Sequence, residues 1–281
     1  MKHPRFKHEA MATWFELVAA GQEEDYARQA AAAAFRELDR LEPELSRYVE
    51  SSDIARANRL AYGETMAIGD DTLQCLLTSV QISHCTQRTF DPAYASERAP
   101  DQPADAMAFT LDPDAHTLTS HVARLHLDLG AVGKGFALDR MAETLEEWGV
   151  RSALLNSGGS TVLALDAPVG TPGWTIGMGE GAARREVMLT QAALSGSGIA
   201  VKGLHLIDPR TGQPAGRSGR AWALAPGAAV ADALSTAFFV LADREIETFC
   251  IEHDSIGSAV VSPQGELVFH GTIKKCVAGF A

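Results

Sequence analysis

With 281 residues and 46% hydrophobic content, the chain has the apolar mass for one large domain or two intimately packed ones. A charged fraction of 21% excludes a disordered chain, and a formal charge of −12 argues against a nucleic-acid surface, which needs clustered Lys and Arg to neutralise phosphates. The four cysteines, Cys75, Cys85, Cys250 and Cys276, form no C-x-x-C pair and read as reduced thiols rather than a disulfide framework.

The opening MKHPRFKHEAMATWFELV carries no apolar run of signal-peptide length, and no window approaches about 18 uninterrupted apolar residues. The expectation is a cytoplasmic enzyme or binding protein without a transmembrane segment. Residues 12–19 read as a strand. The next segment, 22–48, places Phe35, Leu38, Leu41 and Leu45 at helical spacing among strong helix formers. A second helix starts at Asp70 or Asp71 and runs through Leu73, Leu76, Leu77 and Val80. Between residues 91 and 116, Pro92, Pro100, Pro103 and Pro113 lie among several acids, which predicts a long loop rather than an element.

A strand is then expected to lead into the loop DLGAVGKG, with a helix leaving it through Leu138, Met141, Leu145 and Trp148 and stopping at Gly149. SALLN reads as a buried strand, and WTIGMG and REVMLT as short strands between Gly and Pro turns. HLIDPRTGQPAG is a strand ending in a turn, RAWALAPG a strand, and AVADALSTAFFVLA a helix. One more helix and a SAVVSPQGELVFH hairpin complete the chain. Helices and strands mix without strict alternation, so the predicted class is α+β.

Three stretches can carry chemistry. Gly130, Gly133 and Gly135 are spaced G-x-x-G-x-G, neither a dinucleotide fingerprint nor a P-loop. Such a loop at a helix start lets backbone amides approach an anion, with Lys134 in reach of a phosphate; taken alone, a tight turn with close helix–sheet packing is the more ordinary explanation. In ADALST, Asp232, Ser235 and Thr236 fall on one helical face, where carboxylate and hydroxyl oxygens suit Mg²⁺. A dipole-favoured Asp and a Thr bonded back to its own helix account for the same pattern. In HLIDPRTG, Asp208, Pro209 and Gly212 make a turn, and His205 before it has a pKa suited to proton transfer, although composition does not single it out among nine histidines.

Taken in order, DLGAVGKGFALDRMAETLEEWGVRSALLNSGG, HLIDPRTGQP and ADALSTAFFVL closely resemble the FAD:protein FMN transferase (ApbE) family. The N-terminal AMATWFELVAAGQEEDYARQAAAAAFRELDRLEPELSRYVESSDIARAN also resembles that family's opening, and the match covers most of the chain. The resemblance implies a single α+β unit over 1–281, related to the T-fold, with mixed or antiparallel sheets, flanking helices and FAD in a cleft. It implies a Mg²⁺-dependent enzyme that splits FAD, attaches FMN through a phosphoester to a Thr or Ser of a target flavoprotein and releases AMP. Some members instead hydrolyse FAD to FMN and AMP, and a non-catalytic flavin-binding relative is a third reading.

Carried over residue by residue, the resemblance makes the Ala131 carbonyl, Asp232 and Thr236 metal ligands, with Ser235 beside them; Mn²⁺ shares these oxygen preferences. Met11, Tyr48, Asp128, Lys134 and Leu206 match FAD-contacting positions, and His205 matches the proposed base that deprotonates the acceptor hydroxyl. The sequence departs from the family in two places. FDPAYASERAPDQPADAMAF keeps Phe90, Asp91 and Pro92 but lacks the V-G-P-L that usually follows, and LSGSGIAVKGLHLIDP shortens the hairpin before the histidine. Ser160 also stands where the family usually has the Asp of G-G-D. These changes fall on the flavin and acceptor surfaces more than on the metal site.

Overall fold

A computed structural model describes residues 3–99, 101–103, 106–179, 184–198, 207–217, 219–262 and 264–277. The chain runs β1 (Arg5–Ala10), β2 (Thr13–Ala19), α1 (Glu24–Leu45), α2 (Asp53–Ala57), β3 (Thr65–Ala67) and α3 (Asp70–Cys85). It continues with β4 (Phe109–Asp112), β5 (Thr117–Ser120), α4 (Gly133–Glu147), β6 (Ala153–Ser157), β7 (Thr161–Ala164), β8 (Trp174–Met178) and β9 (Arg185–Leu189). Then follow β10 (Ala192–Gly198), β11 (Ile207–Asp208), β12 (Gln213–Pro214), β13 (Arg220–Ala225), α5 (Ala228–Val240), α6 (Asp243–Glu252), β14 (Gly257–Val261) and β15 (Leu267–Gly271).

An eight-stranded sheet, ordered β1-β2-β6-β7-β10-β13-β14-β15, organises the molecule. Its pairings are antiparallel, as is every strand pairing among the described residues. Alternate residues of each strand feed opposite faces. Leu17, Leu155, Leu163, Ala193 and Ala223 join the core beneath the helices. Val18, Leu194, Trp222 and Leu224 join a second core with the β8–β9 hairpin, through Trp174, Met178 and Leu189. The fold is α+β, with antiparallel sheets and flanking helices.

On the helical face, α5 is buried almost all round: Ala, Leu and Phe fill most of its surface, and the polar Asp232, Ser235 and Thr236 interrupt them on one face. It packs on β10 and β13 and against α4, which in turn packs on α1. The α1 face is built largely of alanines, Ala27, Ala30, Ala31 and Ala34, which permit close helix approach.

The chain-order expectations hold for α1, α3, α4, α5 and α6 and for most strands. β1 lies before the predicted start at 12: RFKHEA has no apolar alternation, because it forms a charged edge strand. The segment 91–116 is not all loop, since β4 falls inside it and pairs with β5. The lead-in to the glycine loop is not a strand of any sheet. Its backbone bonds instead to the Pro-rich segment, through Glu97 N to Arg124 O at 2.9 Å, His126 N to Ser96 Oγ at 3.0 Å and Asp128 N to Pro92 O at 2.9 Å. The segment that departs from the family pattern is therefore fastened along the approach to the loop.

Candidate functional site

The sheet brings the first turns of α4 and α5 together. Neither helix carries a side-chain cap of its own, since Val132 and Gly227 occupy the N-cap positions. Orphan amides at a helix start need acceptors, and each helix finds them on the other. Gly135 N donates to Asp232 Oδ2 at 3.2 Å, while Ala228 N and Ala229 N donate to Asp139 Oδ1 and Oδ2 at 2.7 and 2.8 Å. A Cβ on Gly135 would stand 2.2 Å from the Ala228 carbonyl oxygen, so the helices touch backbone to backbone and glycine is required there.

Asp232 is 5% exposed. Its Oδ1 accepts from Thr161 Oγ1 at 3.2 Å and Ser195 Oγ at 3.1 Å, from the paired positions of β7 and β10. Hydrogen bonds to a charged acceptor contribute about 1.5–3 kcal/mol each, and here they fix one carboxylate oxygen. Lys134 Nζ lies 3.8 Å from Oδ2 and donates to the Gly130 carbonyl at 2.8 Å, bridging glycine loop and carboxylate. Ser235 Oγ donates to the Asp232 carbonyl at 2.9 Å, and Ser197 Oγ reaches Ser235 Oγ at 2.8 Å and Thr236 Oγ1 at 3.2 Å.

A second chain of contacts runs outward from the loop. Gly130 N donates to Asp128 Oδ1 at 2.8 Å, and Arg47 Nη1 lies 3.5 Å from Asp128 Oδ2 and 3.2 Å from His126 Nε2. Arg47 also donates to the Tyr48 hydroxyl at 2.6 Å and covers its ring at 4.7 Å, although Tyr48 itself is 80% exposed. An exposed aromatic ring held by a guanidinium is a ready stacking surface.

The structure thus brings Asp128, Lys134, Asp232, Ser235 and Thr236 into one network with Gly130, and Tyr48 joins it through Arg47. Ala131 is half-buried in the same loop. Met11 sits apart, in the β1–β2 turn, where Met11 and Ala12 take φ of 51° and 56°. Positive φ at both turn residues suits a tight hairpin but strains any residue other than glycine, asparagine or aspartate. His205 and Leu206 lie outside the described residues. The D-P-R-T-G turn forms as expected, with Gly212 N donating to Asp208 O at 2.8 Å and Gly212 at φ 69°. Burial alone would raise the Asp208 pKa, but the Arg210 guanidinium and amide outweigh it and hold the carboxyl below its usual value.

Sequence reasoning did not reach Thr161, Ser197, Arg47, His126 or Asp139. Two signals were available: hydroxyls at inward positions of apolar strands, and a carboxylate one helical turn beyond the last loop glycine. Burial pushes the Asp139 carboxyl up to about 6, with Glu143 adding to the rise and the two amides and Arg140 opposing it. Burial also raises the Cys75 thiol, helped by the Asp232 charge, which leaves that cysteine an inert core residue.

The side chains gathered around Asp232, from Thr161, Ser195, Ser235 and Thr236, offer hard oxygens, and the buried carboxylate is faced by an ammonium at 3.8 Å, a charge balance that a divalent cation could equally supply. Among the described residues there is no cluster of three His, Cys, Asp or Glu side chains for a softer metal. Fold and site define an α+β protein in which the first turns of two helices meet beside a buried carboxylate ringed by hydroxyls. Residues 11–260 match the ApbE family, and the chain belongs to that family.

Its relatives are named as flavin transferases. A Haemophilus influenzae FAD:protein FMN transferase is 26% identical over 243 residues, covering 72% of this chain and 70% of the relative. A Klebsiella pneumoniae FAD:protein FMN transferase is 22% identical over 294 residues, covering 91% and 83%. The solved flavin transferase ApbE of Vibrio cholerae shares the fold with a TM-score of 0.80 at 18% identity, over 97% of this chain and 98% of that one. The ApbE protein of Thermotoga maritima gives 0.81 at 21% identity, over 98% and 99%.

Proposed function

We propose that residues 1–281 form one unit that acts as a Mg²⁺-dependent FAD:protein FMN transferase, attaching FMN through a phosphoester to a Thr or Ser of an acceptor flavoprotein and releasing AMP. The observation that carries this reading is the meeting of the glycine loop with Asp232, through Gly135 N at 3.2 Å and Lys134 Nζ at 3.8 Å, in a chain of this family.

Asp232, Thr236, Ser235 and the Ala131 carbonyl are the residues that would hold the cation, Mn²⁺ serving in place of Mg²⁺. A bound divalent ion supplies Lewis-acid polarisation of phosphoryl oxygens. The chain's own residues do the rest. The Thr161 and Ser195 hydroxyls keep the Asp232 carboxylate in one orientation. Lys134 neutralises phosphate charge beside the positive end of α4. Asp128, Tyr48, Met11 and Leu206 bind FAD, the exposed Tyr48 ring offering a stacking face. His205 takes the proton of the acceptor hydroxyl as its oxygen bonds to the FMN phosphorus and the bridging P–O bond to AMP breaks.

Incubation with FAD, Mg²⁺ and a D-G-x-T-[ST]-G-A-T acceptor peptide tests the reading. A covalently fluorescent peptide and an equivalent of AMP are expected. Free FMN and AMP with an unlabelled peptide would instead make the chain an FAD pyrophosphatase, the reading favoured by the altered 91–116 and 195–205 segments. Neither product would leave a non-catalytic flavin binder.

A further inference from the structure

We propose that Asp139 is a positioning residue for this site: by holding the first amides of α5 from α4, it sets the spacing between the glycine loop and Asp232. The inference rests on the assignment of Asp232 to the cation site made above.

Asp139 lies one helical turn after Gly135, and Asp232 one turn after Ala228, so each carboxylate follows by one turn the point where the helices touch. The result is a reciprocal clasp. Asp232 accepts from Gly135 N at 3.2 Å, and Asp139 accepts from Ala228 N and Ala229 N at 2.7 and 2.8 Å. A single hydrogen bond between two rods leaves a pivot, whereas bonds on both sides of a backbone contact fix slide and rotation together. The 2.2 Å that a Gly135 Cβ would leave to Ala228 O shows how little slack the contact has. Gly227 gives α5 no side-chain cap, and among the described residues the α4 carboxylate alone serves the Ala228 and Ala229 amides. Lys134 and the loop carbonyls ride on the first turn of α4 and Asp232 on α5. Any slip between the helices changes the distances on which a cation with strict geometry depends.

The variant Asp139→Asn keeps the side-chain shape, but its amide group faces one of the two N–H donors. The double variant Gly227→Ser/Asp139→Asn returns a local cap to α5 without restoring the link to α4, since Gly227 already has the extended backbone (φ −111°, ψ 152°) of an N-cap serine. The probe is Mn²⁺ binding to the FAD-loaded protein, followed by the loss of free Mn²⁺ paramagnetic signal, with FAD affinity and melting temperature measured alongside. For Asp139→Asn, a rise of about tenfold or more in the Mn²⁺ dissociation constant is expected, with FAD affinity within about threefold of wild type. In the double variant the melting temperature should recover while Mn²⁺ affinity stays weak. Recovery of both, or wild-type Mn²⁺ affinity in Asp139→Asn, would reduce Asp139 to an ordinary helix cap and overturn the proposal. If Asp139→Asn does not fold, the double variant alone decides between the same outcomes. Failure of the wild-type protein to take up Mn²⁺ would strike the Asp232 assignment itself, and is distinguished by appearing before any substitution is made.

Discussion

Gly135 and Asp232, 97 positions apart in the chain, share a hydrogen bond of 3.2 Å between the first turn of one helix and the second turn of another. The carboxylate that accepts this bond also accepts from Thr161 and Ser195 and lies 3.8 Å from the Lys134 ammonium. Asp232→Ala should therefore abolish metal-dependent AMP release from FAD, a loss of at least about a hundredfold, as expected for removal of a group that stabilises transition-state charge. Asp232→Asn retains the shape and separates charge from packing. AMP release at the wild-type rate in the Ala variant would refute the metal assignment.

The same contact makes two loop glycines unequal. Gly135→Ala drives a methyl to 2.2 Å from the Ala228 carbonyl, so the helices must part, at a cost of about 2–4 kcal/mol. Gly130→Ala meets the Asp128 side chain, with Oδ1 at 3.1 Å and Cγ at 3.9 Å, and that side chain can turn aside. Denaturant unfolding should show a large loss for the first variant and under about 1 kcal/mol for the second. Equal losses would mean that the helices do not touch where the structure has them.

Lys134 ties the Gly130 carbonyl to the neighbourhood of Asp232 with a single ammonium. Lys134→Met keeps the stem and removes the charge. FAD affinity, read by quenching of flavin fluorescence, should fall about tenfold at low salt and less at high salt, where screening already weakens phosphate attraction. An unchanged affinity at low salt would detach Lys134 from the pyrophosphate.

Most of this architecture was legible because local pattern and tertiary fate agree. The 3.6-residue spacing of Leu138, Met141 and Leu145 and the stop at Gly149, with φ of 70°, survive intact in α4. The mostly apolar composition of α5 becomes its burial, with Asp232 and Ser235 buried beside the alanines and phenylalanines. What escaped the sequence reading depends on partners distant in the chain. β1 has no apolar alternation because an edge strand solvates its charges, and β4 is held by its pairing with β5 rather than by propensity. The glycine loop and the 232–236 face were visible as separate motifs. Thr161 was not, and Ser195 matched the family's S-G pattern without a role, since both roles exist only once β7 and β10 pair and place the two hydroxyls under one carboxylate. The substituted 91–97 stretch likewise discloses its tether to the loop only in three dimensions, through backbone bonds and the Ser96 hydroxyl.

The Asp139 carboxyl offers a pH test of the helix clasp. Burial lifts it from the ordinary 3.8 to about 6 in the folded protein, so between these values the native state holds a proton that the unfolded chain has released. Its contribution to stability is complete below about pH 4 and is lost as pH rises through about 6. The shift corresponds to at most about 3 kcal/mol, less in practice because water reaches part of this half-buried group. Glu143 strengthens the rise and Arg140 weakens it, so the window moves with either charge. Urea unfolding at intervals from pH 4 to 7 should show the wild type losing stability relative to Asp139→Asn, which has no proton to release. Parallel curves for the two proteins across that interval would mean that the folded-state carboxyl titrates as it does in the unfolded chain, and that the amides of Ala228 and Ala229 fully offset its burial.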